Sequence, residues 1–311
     1  MDDIKPAVHF SQNLLRGIGQ VMLQNSAVSG ALFLVAIAIN SLTLALAALL
    51  GTLISTATAK WLKANSAAIN QGLFGFNGTL VGIAVLVFFE PSLFAWLWLV
   101  IAAALSTFVT ASLTQALSPA RLSTFTAPFV IVSWMCFLAA AYLGRLEPSG
   151  AMPAASLPIA TAVEGRVSLM VIFNGFFNGV GQVFFQENRL TGLLFLAGLA
   201  IHSWRPAAVA AIGSISGLVI AWFAGANALA IEAGIYGFNG VLVAIALTCL
   251  PNLKIDTALV ALALLLTPLV SAALSAFLQP TGLPALTMPF VLVTWLAILA
   301  QRHLTPSPSI E

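Results

Sequence analysis

Charge is what this sequence has least of. Only 6% of its 311 residues are charged, 11 basic and 9 acidic, for a net +2, where a soluble domain carries about 25%. That composition excludes an ordinary water-soluble domain. The few basic residues are spread along the chain rather than clustered, so no footprint for nucleic acid is present. Cysteine is nearly as scarce: Cys136 and Cys249 each sit alone inside an apolar run, where a thiol packs as a small hydrophobe and forms neither a disulfide framework nor a metal site. The sequence contains no HExxH, GxSxG, Walker loop or CxxC, so no enzyme class and no cofactor is indicated. Deep ionisable groups are missing too. Glu90, Glu147, Glu164, Glu187, Glu232 and Asp256 all stand at the ends of apolar runs, whereas a proton- or sodium-coupled carrier needs a carboxylate at membrane depth. A neutral, passively moving cargo fits that absence. Glu187 and Arg189, beside an interrupted segment, keep a second reading as guards of a pore mouth. The first 13 residues lack the basic n-region and apolar h-region of a cleaved signal, so the first apolar segment is expected to remain in place.

What is present is apolar: 60% hydrophobic residues and a mean hydropathy of +1.06. The expected fold is an all-α polytopic membrane protein. Apolar runs in the first half fall at about 9–24, 29–39, 42–59, 71–89, 93–116 and 125–144, to be compared with the ~20 residues that a helix needs to cross the hydrocarbon core. Two are anomalous. The 29–39 run is short, and 9–24 is interrupted by Arg16 and Gln20. The second half repeats both anomalies at 170–187 and 192–203. Paired interrupted segments in two repeats point to a transport site, because irregular backbone at membrane depth is tolerated only where it lines a cavity.

The repeat itself is long. Residues 73–85, "LFGFNGTLVGIAV", match 235–247, "IYGFNGVLVAIAL", at 8 of 13 positions. "GIGQVMLQNSAVSGALFL" at 17–34 matches "GVGQVFFQENRLTGLLFL" at 179–196, and "TAPFVIVSW" at 126–134 matches "TMPFVLVTW" at 287–295. The expected organisation is a first membrane half at 1–146, a polar, Pro-rich linker at 147–167, and a second membrane half at 168–311. Small residues spaced four apart, Gly213 with Gly217 and Gly51 with Ser55 at the equivalent sites, read as close helix packing. "NGT" at 77–79 matches a glycosylation sequon but lies in an apolar run.

Whether the interrupted segment crosses or turns back decides the symmetry. If it is re-entrant, each half has five spans and the halves must be inverted. That arrangement puts Lys5, Lys60, Lys63, Arg121, Arg205, Lys254 and Arg302 on one side against Arg145, Arg166 and Arg189. The crossing arrangement divides the same residues 6 against 4, so the positive-inside rule favours inverted halves with both termini cytoplasmic. His202 has Asn40 as its equivalent, which disfavours a paired-histidine pore.

"GIGQVMLQNSAVSG", "GLFGFNGTLVG" and "FTAPF", each with its partner in the second half, resemble the urea transporter family, here its bacterial channels. The resemblance covers nearly the whole chain. It implies a homotrimer of inverted-repeat protomers in lipid, in the bacterial inner (plasma) membrane. Each half would hold about five transmembrane helices and one re-entrant half-helix, with a narrow urea pore between the halves. Two alternatives stay open: a channel for other small neutral amides or water, and a coupled secondary transporter.

Urea is flat and neutral, with N–H donors at its edge. A selective slot therefore needs edge acceptors and flat apolar groups above and below. Phe76 with Leu80, and Phe238 with Leu242, share helix faces at i,i+4 spacing, beside glycines that let backbone approach; ordinary core packing is the other reading of these pairs. Gln20 and Gln182 stand where the chain turns, so their side chains and freed carbonyls would form an acceptor ladder, with Val21 and Val183 next to them in the pore. Thr126 and Thr287 precede Pro128 and Pro289, which cannot donate to the carbonyls of Thr124 and Ala285. The resemblance puts both threonines at the pore centre, and a hydroxyl capping its own helix is the alternative. Leu23 and Phe185 differ between the halves, so the two slots are expected to differ.

Overall fold

In the computed structural model, residues 4–157, 165–201, 203–251 and 253–304 are described. His202 and Glu164 lie outside them. The described chain is helical. The first series is α1 (Ile4–Gln20), α2 (Ala27–Asn40), α3 (Leu42–Trp61), α4 (Ser66–Asn70), α5 (Gly75–Phe88), α6 (Leu93–Leu117) and α7 (Ala127–Leu143). The second is α8 (Leu169–Gly181), α9 (Arg189–Ala200), α10 (Trp204–Phe223), α11 (Ala228–Glu232), α12 (Phe238–Cys249), α13 (Thr257–Leu278) and α14 (Met288–Leu304), with single 3₁₀ turns at Gln182–Phe184 and Gln279–Thr281.

The duplication extends to the local devices that start and stop these helices. Ser26 caps α2 and Asn188 caps α9; Ser41 and Ser203 cap α3 and α10; Asn65 and Asn227 cap α4 and α11. In each case a side-chain oxygen accepts at least one of the N–H groups that the first turn leaves without a partner. Left-handed residues recur as well: Leu23 with Phe185, Lys63 with Gly225, Gly72 with Gly234, and Phe125 with Leu286. Such a backbone costs a non-glycine residue roughly 1–2 kcal/mol. Its recurrence at equivalent turns marks chain reversals held in place by their surroundings.

Among the described residues, only α3, α6, α10 and α13 are long and apolar enough to cross a membrane, a count that reaches five if the bent pair Leu169–Phe184 and Arg189–Ala200 is one span. With this apolar content the chain is an integral membrane protein. Several expected segments are redrawn. The short run at 29–39 is a 14-residue helix, about 21 Å long at 1.5 Å per residue, because Ala27, Val28 and Asn40 continue its hydrogen bonding. The single run at 71–89 is not one helix: the chain reverses at Gly72, φ +76°, and α5 begins at Gly75. A Cβ on Gly72 would run into the backbone of Gly17. The second interrupted segment bends by 70° between Phe184 and Arg189.

Glycines set the helix contacts. A Cβ at Gly51 on α3 would meet the Gly78 carbonyl of α5, and one at Gly213 on α10 would meet the Gly240 carbonyl of α12, as the four-residue spacing predicts. The two series then touch in a reciprocal way. Trp134 on α7 donates its indole N–H to the Pro284 carbonyl at 2.8 Å, and Trp295 on α14 donates to the Ser123 carbonyl at 2.8 Å. Position 284 is the equivalent of 123, and 295 of 134. Phe33 and Phe195, also equivalents, pack edge to face with centroids 5.3 Å apart. A contact in which i meets j and j meets i is the signature of two-fold pairing.

Candidate functional site

Both glutamine turns are built by the same local rules. After α1 ends at Gln20, the Leu23 N–H reaches the Gln20 carbonyl and the Gln24 N–H reaches the Gly19 carbonyl; in the second series Phe185 reaches Gln182 and Gln186 reaches Gly181. Leu23 and Phe185 adopt φ of 60° and 59°, which aims the following chain away from the helix axis. No backbone donor among the described residues reaches the carbonyls of Val21 or Val183. Freed acceptors are therefore present at both turns, as the interrupted sequence implies.

Each glutamine is tied to the loop that precedes the Phe-Asn-Gly helix. Gln20 Nε2 donates to the Gln71 carbonyl and Gln182 Nε2 to the Ala233 carbonyl, both at 2.9 Å. One turn earlier, Arg16 donates to the Asn70 carbonyl at 2.9 Å and Asn178 to the Glu232 carbonyl at 2.8 Å. An arginine and an asparagine thus do one job in the two series, a match invisible in a residue-by-residue comparison. With its amide nitrogen engaged, each glutamine keeps its side-chain oxygen as an acceptor.

Phe76 and Leu80 are buried in the first turns of α5, and Leu242 is buried at the matching place on α12 with Phe238 partly exposed beside it. The sets lie apart. Phe185 packs edge to face on Phe88, centroids 5.9 Å, and on Phe129 at 6.1 Å. Phe88 is 12 residues beyond Phe76 on the same helix, about 18 Å away at 1.5 Å per residue. Phe185 thus sits among rings, while its equivalent in the first series, Leu23, is aliphatic.

Where α7 meets α14, the Oγ1 atoms of Thr126 and Thr287 are 2.6 Å apart, and both residues are buried. Neither hydroxyl caps its own helix; Thr126 is the N-cap of α7 without a side-chain cap bond. The neighbouring carbonyls find other donors. Pro128 indeed cannot donate to Thr124, but the Ala127 N–H does so at 3.1 Å, and Met288 likewise takes the Ala285 carbonyl at 3.2 Å. A tighter 3₁₀-type bond closes the turn that the proline leaves open. Asn77 and Asn239 were not among the candidate site residues read from the sequence, yet each amide oxygen has a partner: Asn77 Oδ1 accepts from Phe129 N at 3.1 Å, and Asn239 Oδ1 accepts from Phe290 N at 3.2 Å. Their only sequence signal is recurrence inside Phe-Asn-Gly.

The surroundings of the two glutamine turns differ in charge. A 320 Å³ surface cavity beside Asn70 is lined by Lys60 and Lys63, and a 540 Å³ cavity beside Ala233 is lined by Glu187 and Glu232. Glu232 also accepts from Asn174 at 2.5 Å, which in turn accepts from Arg189 at 3.2 Å. Among the described residues no buried side chain carries a carboxylate, an ammonium or a guanidinium, and no cluster of three or more His, Cys, Asp or Glu is arranged to hold a metal ion.

Comparison with known proteins adds the family. A family model described as "Urea transporter" matches residues 11–302. The chain is 33% identical to Urea transporter 1 of Ovis aries, over 100% of this chain and 81% of that protein, and 33% identical to Urea transporter 1 of Rattus norvegicus, over 98% of this chain and 80% of that one. With a match over almost its whole length and turns, caps and threonines duplicated as described, this chain belongs to the urea transporter family.

Proposed function

We propose that this protein is a passive, selective urea channel whose pore runs between two inverted halves, residues 1–146 and 168–311, joined by the 147–167 linker. It catalyses no reaction. The pore is lined by Gln20, Val21, Leu23, Phe76 and Leu80 at one end, Thr126 and Thr287 at the centre, and Gln182, Val183, Phe185, Phe238 and Leu242 at the other. The assembly is a homotrimer in the bacterial inner membrane with both termini cytoplasmic.

The observation that carries this reading is the self-paired contact of Thr126 and Thr287. A residue that meets its own equivalent lies on the axis relating the halves, so a path through that point has a centre with two matching arms. The tryptophan bonds support inversion. Trp134 is 8 residues into the sequence after Thr126, about 12 Å along α7, yet it bonds Pro284, which precedes Thr287. If α7 and α14 ran the same way from the paired threonines, the segment before Thr287 would lie behind both helices and out of reach. With the helices pointing apart, the segment leading into each passes beside the other.

The chemistry matches urea better than an ion. Burying an unpaired charge is far costlier than burying a neutral hydrogen-bonding group, and the path offers hydroxyls, amide oxygens and carbonyls with no buried ionised partner. Flat rings together with glutamine oxygens suit a planar solute with donors at its edge. Reconstitution into liposomes, with urea-driven shrinkage followed by re-swelling, tests the proposal. Re-swelling at the rate of empty liposomes would reject it.

A further inference from the structure

We propose that Asn77 and Asn239 are positioning residues that cap α7 and α14 from a neighbouring helix and so release the hydroxyls of Thr126 and Thr287 for the solute. The inference rests on the pore reading above, and it begins from a count of N–H groups.

The first turn of a helix leaves its N–H groups without intrahelical partners, and the N-cap side chain ordinarily accepts from the residue two or three positions on. In α7 that N-cap is Thr126 and the third helical residue is Phe129. Every donor of this turn is nonetheless placed without the Thr126 hydroxyl. Ala127 N donates to Thr124, Pro128 has no N–H, Val130 N donates to the Thr126 carbonyl, and Phe129 N goes to Asn77 Oδ1 at 3.1 Å. The same count holds in α14: Met288 N donates to Ala285, Pro289 has no N–H, Val291 N donates to the Thr287 carbonyl, and Phe290 N goes to Asn239 Oδ1 at 3.2 Å. Asn77 and Asn239 come from α5 and α12, and are buried.

Each amide also ties down the backbone just before the threonine. Asn77 Nδ2 donates to the Phe125 carbonyl at 3.4 Å and Asn239 Nδ2 to the Leu286 carbonyl at 3.3 Å. Phe125 and Leu286 are the left-handed residues, φ 46° and 52°, so the asparagine holds the reversal that delivers the threonine to the axis. A free hydroxyl costs little in water, but buried polar groups need partners; here the partner is the opposite hydroxyl, at 2.6 Å, and a passing solute can replace it. The position of the asparagine, one residue after Phe76 or Phe238, links the ring of each slot to the hydroxyl at the centre.

Removing the surrogate cap should hand the job back. In Asn77→Ala, Thr126 Oγ1 turns to accept from Phe129 N, the helix start survives, and the hydroxyl is lost to the pore. The test is a cycle of Asn77→Ala, Thr126→Val and the double variant, read by urea flux per folded channel in proteoliposomes and by thermal midpoint. Flux is expected to fall at least fivefold in Asn77→Ala, with the half-saturating urea concentration changed less than twofold. The double variant should transport like Thr126→Val alone, because the two act through one hydroxyl. Thermal stability should behave in the opposite way: the double variant should lose more than the sum of the singles, since only then does Phe129 N have no acceptor. Multiplying flux losses, parental flux in Asn77→Ala, or additive thermal midpoints would overturn the proposal. So would failure of both Asn77→Ala and Asn239→Ala to fold, because a reclaimed cap predicts that they fold. If the parent protein carries no urea, the channel reading fails by itself, and the stability arm still decides whether the threonine takes over the cap.

Discussion

The hydroxyls of Thr126 and Thr287 meet at 2.6 Å although 161 residues separate them in the chain. Each starts its helix, and neither bonds its own backbone. A duplicated sequence places equivalent residues in contact only on the axis of its internal symmetry. The pair therefore marks the middle of whatever runs between the two halves.

Replacing both by valine keeps shape and removes both hydroxyls. A hydrogen bond lost at a desolvated point costs ~1–3 kcal/mol, so Thr126→Val with Thr287→Val is expected to lower urea flux about fivefold to a hundredfold with the fold intact. Stopped-flow light scattering of proteoliposomes measures it. Parental flux in the folded double variant would reduce the pair to a packing contact.

Gln20→Leu and Gln182→Leu each delete one acceptor and the tie to the Gln71 or Ala233 carbonyl. Each is expected to weaken urea binding severalfold, since the freed backbone carbonyls beside it remain. Titration calorimetry in detergent reads the change. Affinities equal to the parent's in both variants would leave an acceptor ladder made of backbone alone.

Phe76→Ala with Phe238→Ala should open both slots. Planar urea gains little from extra height, whereas compact non-planar glycerol gains much, so the ratio of urea to glycerol permeability is expected to drop. An undiminished ratio would assign both rings to core packing, and the twice-used Phe-Asn-Gly phrase would then serve only the helix starts.

Trp134 and Trp295 make one contact twice, in opposite directions. Trp134→Phe and Trp295→Phe should therefore cost similar stability, roughly 0.5–1.5 kcal/mol each for the lost bond, seen as matched falls in thermal midpoint. A large loss in one and none in the other would argue against a two-fold relation between the halves.

Much of this was legible in the sequence because duplication prints each important residue twice. The glutamine turns stood out as interrupted apolar runs, and the threonines as polar residues before a proline. Other parts were not readable, for physical reasons. That Arg16 and Asn178 serve the same carbonyl position does not appear in residue identity, because what recurs is a donor at one place on a helix face. The carbonyls of Thr124 and Ala285 looked free because proline removes one donor; the chain tightens by a residue and supplies the next one. The caps supplied by Asn77 and Asn239 come from another helix, 52 and 51 residues away, and local spacing carries no sign of them. The reversal at Gly72 sits inside an apolar stretch and appears only once Gly17 is seen against it.

The most direct test of the central claim is urea flux through the purified protein in liposomes, followed to completion with and without an imposed proton or sodium gradient. A passive channel gives flux well above that of empty liposomes, an end point at equal urea concentration on both sides, and no response to either gradient. Accumulation of urea above that equilibrium level would contradict it.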